Sequence, residues 1–208
     1  TLYFTAQKAG EDPDDNYQID IVAYDTESDE AEDVHRTTGW GAAIAVTEDH
    51  RIAYTYTDAE QASIQPTELH VYDRAADETF DLTAGLDRTL GMEAAPQWGP
   101  DGERVHFATR DKGATSLWSA PGDASTDPER EYRGGSVNGA HVAEDVTAIT
   151  KSEWDHPGDL FVLDGSEDRR LTDLNAEYLD SVAVGEPEPL EFESEQGPVE
   201  GWVLTPPE

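Results

Sequence analysis

Few residues of this chain stand at spacings that could do chemistry. Ser136 lies in "GGSVN" (134 to 138), but the last glycine of a Gly-x-Ser-x-Gly nucleophile turn is missing and the flanking segments read as strands. A turn joining two strands is the simpler reading. Six histidines, His35, His50, His70, His106, His141 and His156, are scattered with no close pair at metal-ligand spacing. His106 and His141 fall on strands, where packed or surface imidazoles are expected. The run "EDPDDN" (11 to 16) offers oxygen ligands to sodium, potassium or calcium but lacks the Asp-x-Asp-x-Asp-Gly frame of a calcium loop, so only nonspecific association is expected there. There is no cysteine, hence no disulfide, thiolate metal site or Cys nucleophile. Spacing alone cannot single out an acid-base pair among 47 carboxylates, and no phosphate-binding glycine loop occurs. The sequence therefore predicts no catalytic, metal-binding or cofactor-binding residue, and no cofactor, within these 208 residues.

The charge balance sets who can bind. Asp and Glu number 47 against 13 Lys and Arg, a formal net charge of -34 with a pI near 4.1. Nucleic acid and anionic membranes are excluded as partners on these grounds. Five Trp, eight Tyr and regular turn signals argue for a folded chain over a disordered acidic one. The acids are spread through loops such as "GEDPDDN" and "DTESDEAED", and the lysines are only Lys8, Lys112 and Lys151. That pattern resembles proteins of salt-in halophiles, where multimolar salt shortens the Debye length to roughly 3 Å. No apolar stretch approaches the ~18 residues of a membrane span, and no signal peptide is found, so a cytoplasmic location is expected. The opening "TLYFTAQ" already reads as a strand without an initiator Met, as if the chain began inside a larger polypeptide.

The elements that must hold any site in place repeat along the chain. "PQWGPDGERVHFATR" (96 to 110) combines a Trp, a Gly-Pro-Asp-Gly turn and an alternating strand. The strands "RIAYTYT" (51 to 57), "RVHFATR" (104 to 110) and "VTAITKS" (146 to 152) take equivalent places, and "TLYFTAQ" (1 to 7) fits a fourth. Each precedes a second apolar strand: "QIDIVAYD", "ELHVYDR", "SLWSAPG" or "DLFVLDG". Third strands follow in "VHRTT" (34 to 38), "TFDLTAG" (79 to 85), "REYRGG" (130 to 135) and "RRLTDLN" (169 to 175). Short apolar segments, "GAAIAV", "EAAPQW" and "NGAHVA", come before the later three units. Four strands per unit of 40 to 50 residues and no convincing helix predict an all-β fold, a partial β-propeller of about four four-stranded antiparallel blades. The blades are placed at about 1 to 38 (incomplete), 40 to 86, 93 to 136 and 137 to 175, with 1 to 184 as the propeller part. Trp98, Trp40 and Trp118 are expected to pack between neighbouring sheets, each worth a few kcal/mol.

The words "PQWGPDGERVHFATR", "LFVLDG" and "RRLTDLN" are similar to blade motifs of TolB-like propellers, with Gly99 where the usual turn has Ser. The tail "PLEFESEQGPVEGWVLTPP" resembles the junction at which propellers of the acylaminoacyl-peptidase type, in the prolyl oligopeptidase family, pass into a catalytic α/β-hydrolase domain. Gln196-Gly197 replaces the family's common Asp-Gly and still permits the turn. This resemblance implies that 185 to 208 form a linker and the first hairpin of that hydrolase, itself missing from the chain. It implies a parent serine peptidase whose Ser, His and Asp lie downstream, peptide substrates, and a propeller that gates their access. The fragment alone should then be inactive. The alternative is a non-enzymatic TolB-like propeller that binds protein partners.

Two expectations concern solution behaviour. An open run of blades exposes apolar faces and a strand edge near "TLYFTAQ", so a homodimer is expected at high salt. Repulsion among 47 acids facing 13 bases should also make the fold need salt. Circular dichroism between ~0.1 and 3 M KCl is expected to show a rising melting point; a melting point that falls steadily would contradict the halophile reading.

Overall fold

The computed structural model describes residues 1–7, 17–91 and 95–206. The acidic run at 11–16 lies outside the described residues, as do the first residues of the segment at 93–98. Alternating apolar and polar positions, punctuated by Gly, Pro and Asp, fold into four antiparallel sheets in chain order, the third and fourth joined edge to edge into eight strands. The first has three strands, β1 (Leu2–Ala6), β2 (Gln18–Asp25) and β3 (Glu30–Thr38). The second has β4 (Ile44–Val46), β5 (Arg51–Tyr56), β6 (Glu68–Asp73) and β7 (Glu78–Asp81). The third has β8 (Gln97–Trp98), β9 (Arg104–Asp111), β10 (Ala114–Pro121) and β11 (Glu129–Tyr132). The fourth has β12 (Ser136–Val142), β13 (Thr147–Glu153), β14 (His156–Asp164) and β15 (Glu167–Arg170). One parallel contact, Thr115 opposite Ser136, links the third sheet to the fourth. A hairpin of β16 (Pro187–Ser194) and β17 (Gly197–Leu204) follows, in unbroken register from Pro187–Leu204 to Ser194–Gly197.

The Gly-Pro-Asp-Gly stretch makes the turn its residues favour. Gly99 N–H donates to Arg104 O at 2.8 Å, Asp101 Oδ1 accepts from Glu103 N–H, and Gly102 adopts φ 69°. The outermost strands are shorter than "TFDLTAG" and "RRLTDLN" suggest, and one repeated device explains it. Leu82 and Leu171 still donate to Leu69 O and Leu160 O, at 2.9 and 2.8 Å. Thr83 and Thr172 then swing their hydroxyls in to accept from Leu69 N–H and Leu160 N–H, at 3.0 and 2.9 Å. The threonine oxygen substitutes for the next backbone carbonyl and ends the strand. The expected absence of helix is corrected at one place: α1 (Ala176–Leu179) is a single turn, too short to leave a periodic signal.

The core is a series of seams between successive sheets. Ile21 meets Ile52 and Tyr54 at the first seam. Ala53, Leu69 and Val71 meet Trp98, Val105, Phe107 and Ala120 at the second. Leu117 and Tyr132 meet Val137, Ile149 and Phe161 at the third. Trp98 sits between sheets as its position predicts; its Nε1–H donates to Ala45 O at 3.0 Å, and the Arg51 guanidinium lies 5.0 Å from its ring centre. Trp118 packs against the same seam. Trp40 does not: it is 70% exposed in the link before β4, bonded to Ala62 O and edge-on to Tyr17. A link residue follows the rim of the sheets and has no facing sheet to enter.

The third seam carries a buried ammonium. Lys151, 5% exposed, donates to Tyr132 Oη at 3.1 Å, pairs with Asp168 and with Glu153 at 2.9 Å, and lies 4.3 Å from the Phe161 ring centre. Burial opposes its charge, but Asp168, Glu153 and Tyr132 more than offset that and hold its pKa above the ordinary lysine value. Tyr132, buried and donating to Asp168, is pushed up to about 12. Removing one member of such a set leaves the others desolvated and unpaired. Lys151→Met is expected to cost about 2–4 kcal/mol in urea unfolding at an unchanged slope. Lys151→Met combined with Asp168→Leu should regain a large part of the loss. A single-variant cost below about 0.5 kcal/mol would show that the network does not hold the seam.

Candidate functional rim

Antiparallel order sorts the connections between two rims. The β5–β6, β9–β10 and β13–β14 connections leave at the same rim as the links between successive sheets. The remaining turns leave at the opposite one. Both rims have recesses: the opposite one holds a hollow of about 630 Å³ lined by Asp25, Ser28, Glu30, Glu32 and Arg74, while the first rim carries the β16–β17 hairpin and recesses with aromatic walls. Lys112, in the β9–β10 turn, donates to Glu200 Oε1 at 2.8 Å, and this bond above all raises the Lys112 pKa. Its neighbour Gly113 has φ 72°, and a Cβ there would overlap the Trp202 ring, so glycine is needed both for the turn and for the docking of β17.

Two adjoining hollows open on this rim, one of about 530 Å³ between the third and fourth sheets and one of about 570 Å³ between those sheets and the hairpin. One is lined by Arg110, Asp111, Lys112, Ser136, Asn138 and Ser152; the other adds Glu153, Trp154, Pro187 and Trp202. Asn138 donates to Ser152 Oγ at 3.1 Å, which orients the amide. Asp111, in the wall, is shared by Arg88 and Arg130 at 3.1 and 3.0 Å. The hollows thus gather guanidinium, ammonium, amide and hydroxyl donors, with the Asp111 and Glu153 carboxylates among them, beside two indoles. Such a set suits carbonyl and carboxylate oxygens of an extended peptide. A third hollow on this rim, about 230 Å³ and mainly apolar, lies between the second and third sheets, lined by Trp40, Thr57, Thr67, Leu90 and Pro96 among others.

Ser136 begins β12 in the link between sheets, opposite Ser152 and Thr115, and Gly135 before it has φ 57°. It occupies a blade-joining turn and lines the hollows. The histidines are packed or paired singly. His106 is buried, 3.7 Å from Glu131, with its pKa lowered chiefly by burial. His141 contacts Gln97 at 3.3 Å, and His50 contacts Tyr3 Oη at 2.8 Å. His35 stacks on Tyr72 at 4.2 Å and bonds Tyr54 Oη at 2.9 Å; burial and the nearby His70 lower its pKa. The fold does bring carboxylates to His70 and to His156, which the spacing of histidines alone did not reveal. The signal was there for His70: in "ELH", Glu68 and His70 are two apart on one strand and share a face.

No protein-family model matches the chain. It is 25% identical over 135 residues to "Uncharacterized peptidase YuxL" of Bacillus subtilis, covering 61% of this chain and 20% of that protein. Its fold is similar to that of Pyrococcus horikoshii acylaminoacyl peptidase, with a TM-score of 0.69 and 18% identity over 92% of this chain and 29% of that one. It is also similar to the β-propeller domain of the Trilobed protease of Pyrococcus furiosus, described as having an open velcro topology, with a TM-score of 0.58 and 21% identity over 76% of this chain and 44% of that one. The chain is an all-β propeller run, and it spans under a third of the acylaminoacyl peptidase and about a fifth of the curated relative.

Proposed function

We propose that this chain is the substrate-access portion of a serine peptidase resembling acylaminoacyl peptidases, and that the catalytic domain mounts on the rim where β16–β17 docks. The observation that carries this reading is the hairpin. It folds as a separate two-stranded sheet after the last blade and is tied to the blades through Lys112–Glu200 and the Gly113–Trp202 contact. An isolated binding propeller has no use for such an appendage. The likeness to a whole peptidase spans 92% of this chain, against 76% for an isolated propeller domain, which supports the same reading over a TolB-like binding module.

On this reading the chemistry is done downstream by a Ser activated by His and oriented by Asp, with backbone amides stabilising the oxyanion. The blades restrict which peptides arrive. Arg110, Lys112 and Asn138 offer donors to peptide oxygens entering the hollows, and Trp154 and Trp202 give an apolar wall. Acylated or short peptides are the substrates proposed, the location is cytoplasmic, and the many acids adapt the surface to high salt. A fluorophosphonate probe is the direct test. The 208-residue chain should remain unlabelled, whereas the product of the whole native reading frame should label once and release an N-acylated amino acid from a blocked peptide. A native product that neither labels nor cleaves would overturn the peptidase reading. Stoichiometric labelling at Ser136 would overturn the assignment of that residue to a blade link.

A further inference from the structure

Glu68, His70 and Asp81 converge on one point of the second sheet. Glu68 and His70 point the same way from β6, and Asp81 is the cross-strand partner of His70 on β7. His70 Nε2 lies 3.1 Å from Glu68 Oε2 and 3.8 Å from Asp81 Oδ1, and the three ligand atoms are all within 4.8 Å of one another. A tetrahedral ion with bonds of about 2.0–2.2 Å requires its ligand atoms to stand about 3.3–3.6 Å apart. The two measured separations bracket that figure.

His70 and Asp81 are each held by neighbours. The His70 ring stacks on Tyr56 at 4.7 Å and 23°, with Tyr54 edge-on at 5.7 Å. Asp81 Oδ1 accepts from Thr83 N–H at 2.8 Å and from its hydroxyl at 3.2 Å. Supported imidazole and carboxylate ligands are the arrangement that a metal site needs. We propose that Glu68, His70 and Asp81 bind a divalent transition metal of the zinc type, with the fourth position open to water. One imidazole nitrogen and two carboxylate oxygens suit zinc, cobalt or manganese and give calcium and magnesium, which favour all-oxygen shells, little advantage. The metal takes the position of the Nε2 hydrogen that otherwise meets Glu68.

A second group, Glu153, Asp155 and His156, shows what disqualifies a similar set. There Lys151 Nζ already lies 2.9 Å from Glu153 Oε1, so a cation would face an ammonium, and the His156 contacts are longer, at 3.9 Å. The Glu68 site adjoins the first seam through Tyr54 and Tyr56, so an ion bound there would brace β6 and β7 where the second sheet meets the first.

The test must separate this site from diffuse binding to 47 acids. The chelator-treated chain is titrated with ZnCl₂ by calorimetry in ~1 M KCl with excess Mg²⁺, which screens and occupies exposed carboxylates. One equivalent of zinc is expected to bind, with cobalt giving visible absorption bands of a low-coordinate site. His70→Gln should weaken binding at least ~10-fold and abolish the cobalt bands, since it removes the only nitrogen ligand. Glu68→Gln, on a partly exposed side chain, should weaken it also and guards against misfolding of the first variant. Asp155→Asn should change nothing. Absence of binding, or zinc binding that Glu68→Gln and His70→Gln leave intact, would overturn the proposal.

Discussion

A sheet with two apolar faces must have both covered, and the rest of this structure depends on that constraint. Tyr54 and Ala53 are neighbours on β5 yet face different sheets, one toward Ile21 and the other toward Val105 and Phe107. The second sheet is therefore a filling between the first and the third, and no single sheet holds a core of its own. Trp98 belongs to this logic. Its indole spans the seam, and its one polar atom reaches the backbone of the preceding sheet at Ala45. At the ends of the run the constraint is left open: Leu2 and Phe4 on β1, and Val146 just before β13 with Leu160 on β14, are exposed. Those are the surfaces on which association with a second copy is proposed.

Charge is arranged around the same seams. Asp20, Asp111 and Asp159 are the aspartates buried among the described residues, and each faces arginine: Arg36, then Arg88 with Arg130, then Arg170. Asp159 also accepts from Thr172 and from Leu174 N–H, and these bonds hold its pKa down to about 2. Other arginines pair with acids at the opposite rim: Arg51 with Asp49, Arg74 with Glu32 and Arg104 with Glu129. The rim where the hairpin docks sets Arg110 and Lys112 beside Asp111 and Glu153.

Much of the fold was legible in the sequence because its signals are local. Gly102 in a Pro-Asp-Gly turn, alternation along β9 and the repeated Leu-Thr at 82–83 and 171–172 each act within a few residues or across one ladder. Trp40 was misplaced for the reason that separates rim from seam: the residue type speaks for burial, but only the path of the link shows that no sheet faces it. The candidate rim was less legible. Lys112 and Glu200 lie 88 residues apart, and nothing near either one announces the other. Asp81 reaches His70 only through the β6–β7 register, which the turn at 74–77 sets and composition does not.

The central claim is that these blades stand over a catalytic site and limit what reaches it. The measurement that tests it most directly is made on the product of the whole native reading frame. It compares kcat/KM for a short acylated peptide with kcat/KM for the same scissile sequence carried in a surface loop of a folded protein. The rim and hairpin arrangement leads to a preference for the short peptide on the order of a thousandfold, about 4 kcal/mol of discrimination by access alone. Equal rates on the two substrates would contradict the claim and leave the blades as a binding module without a gate.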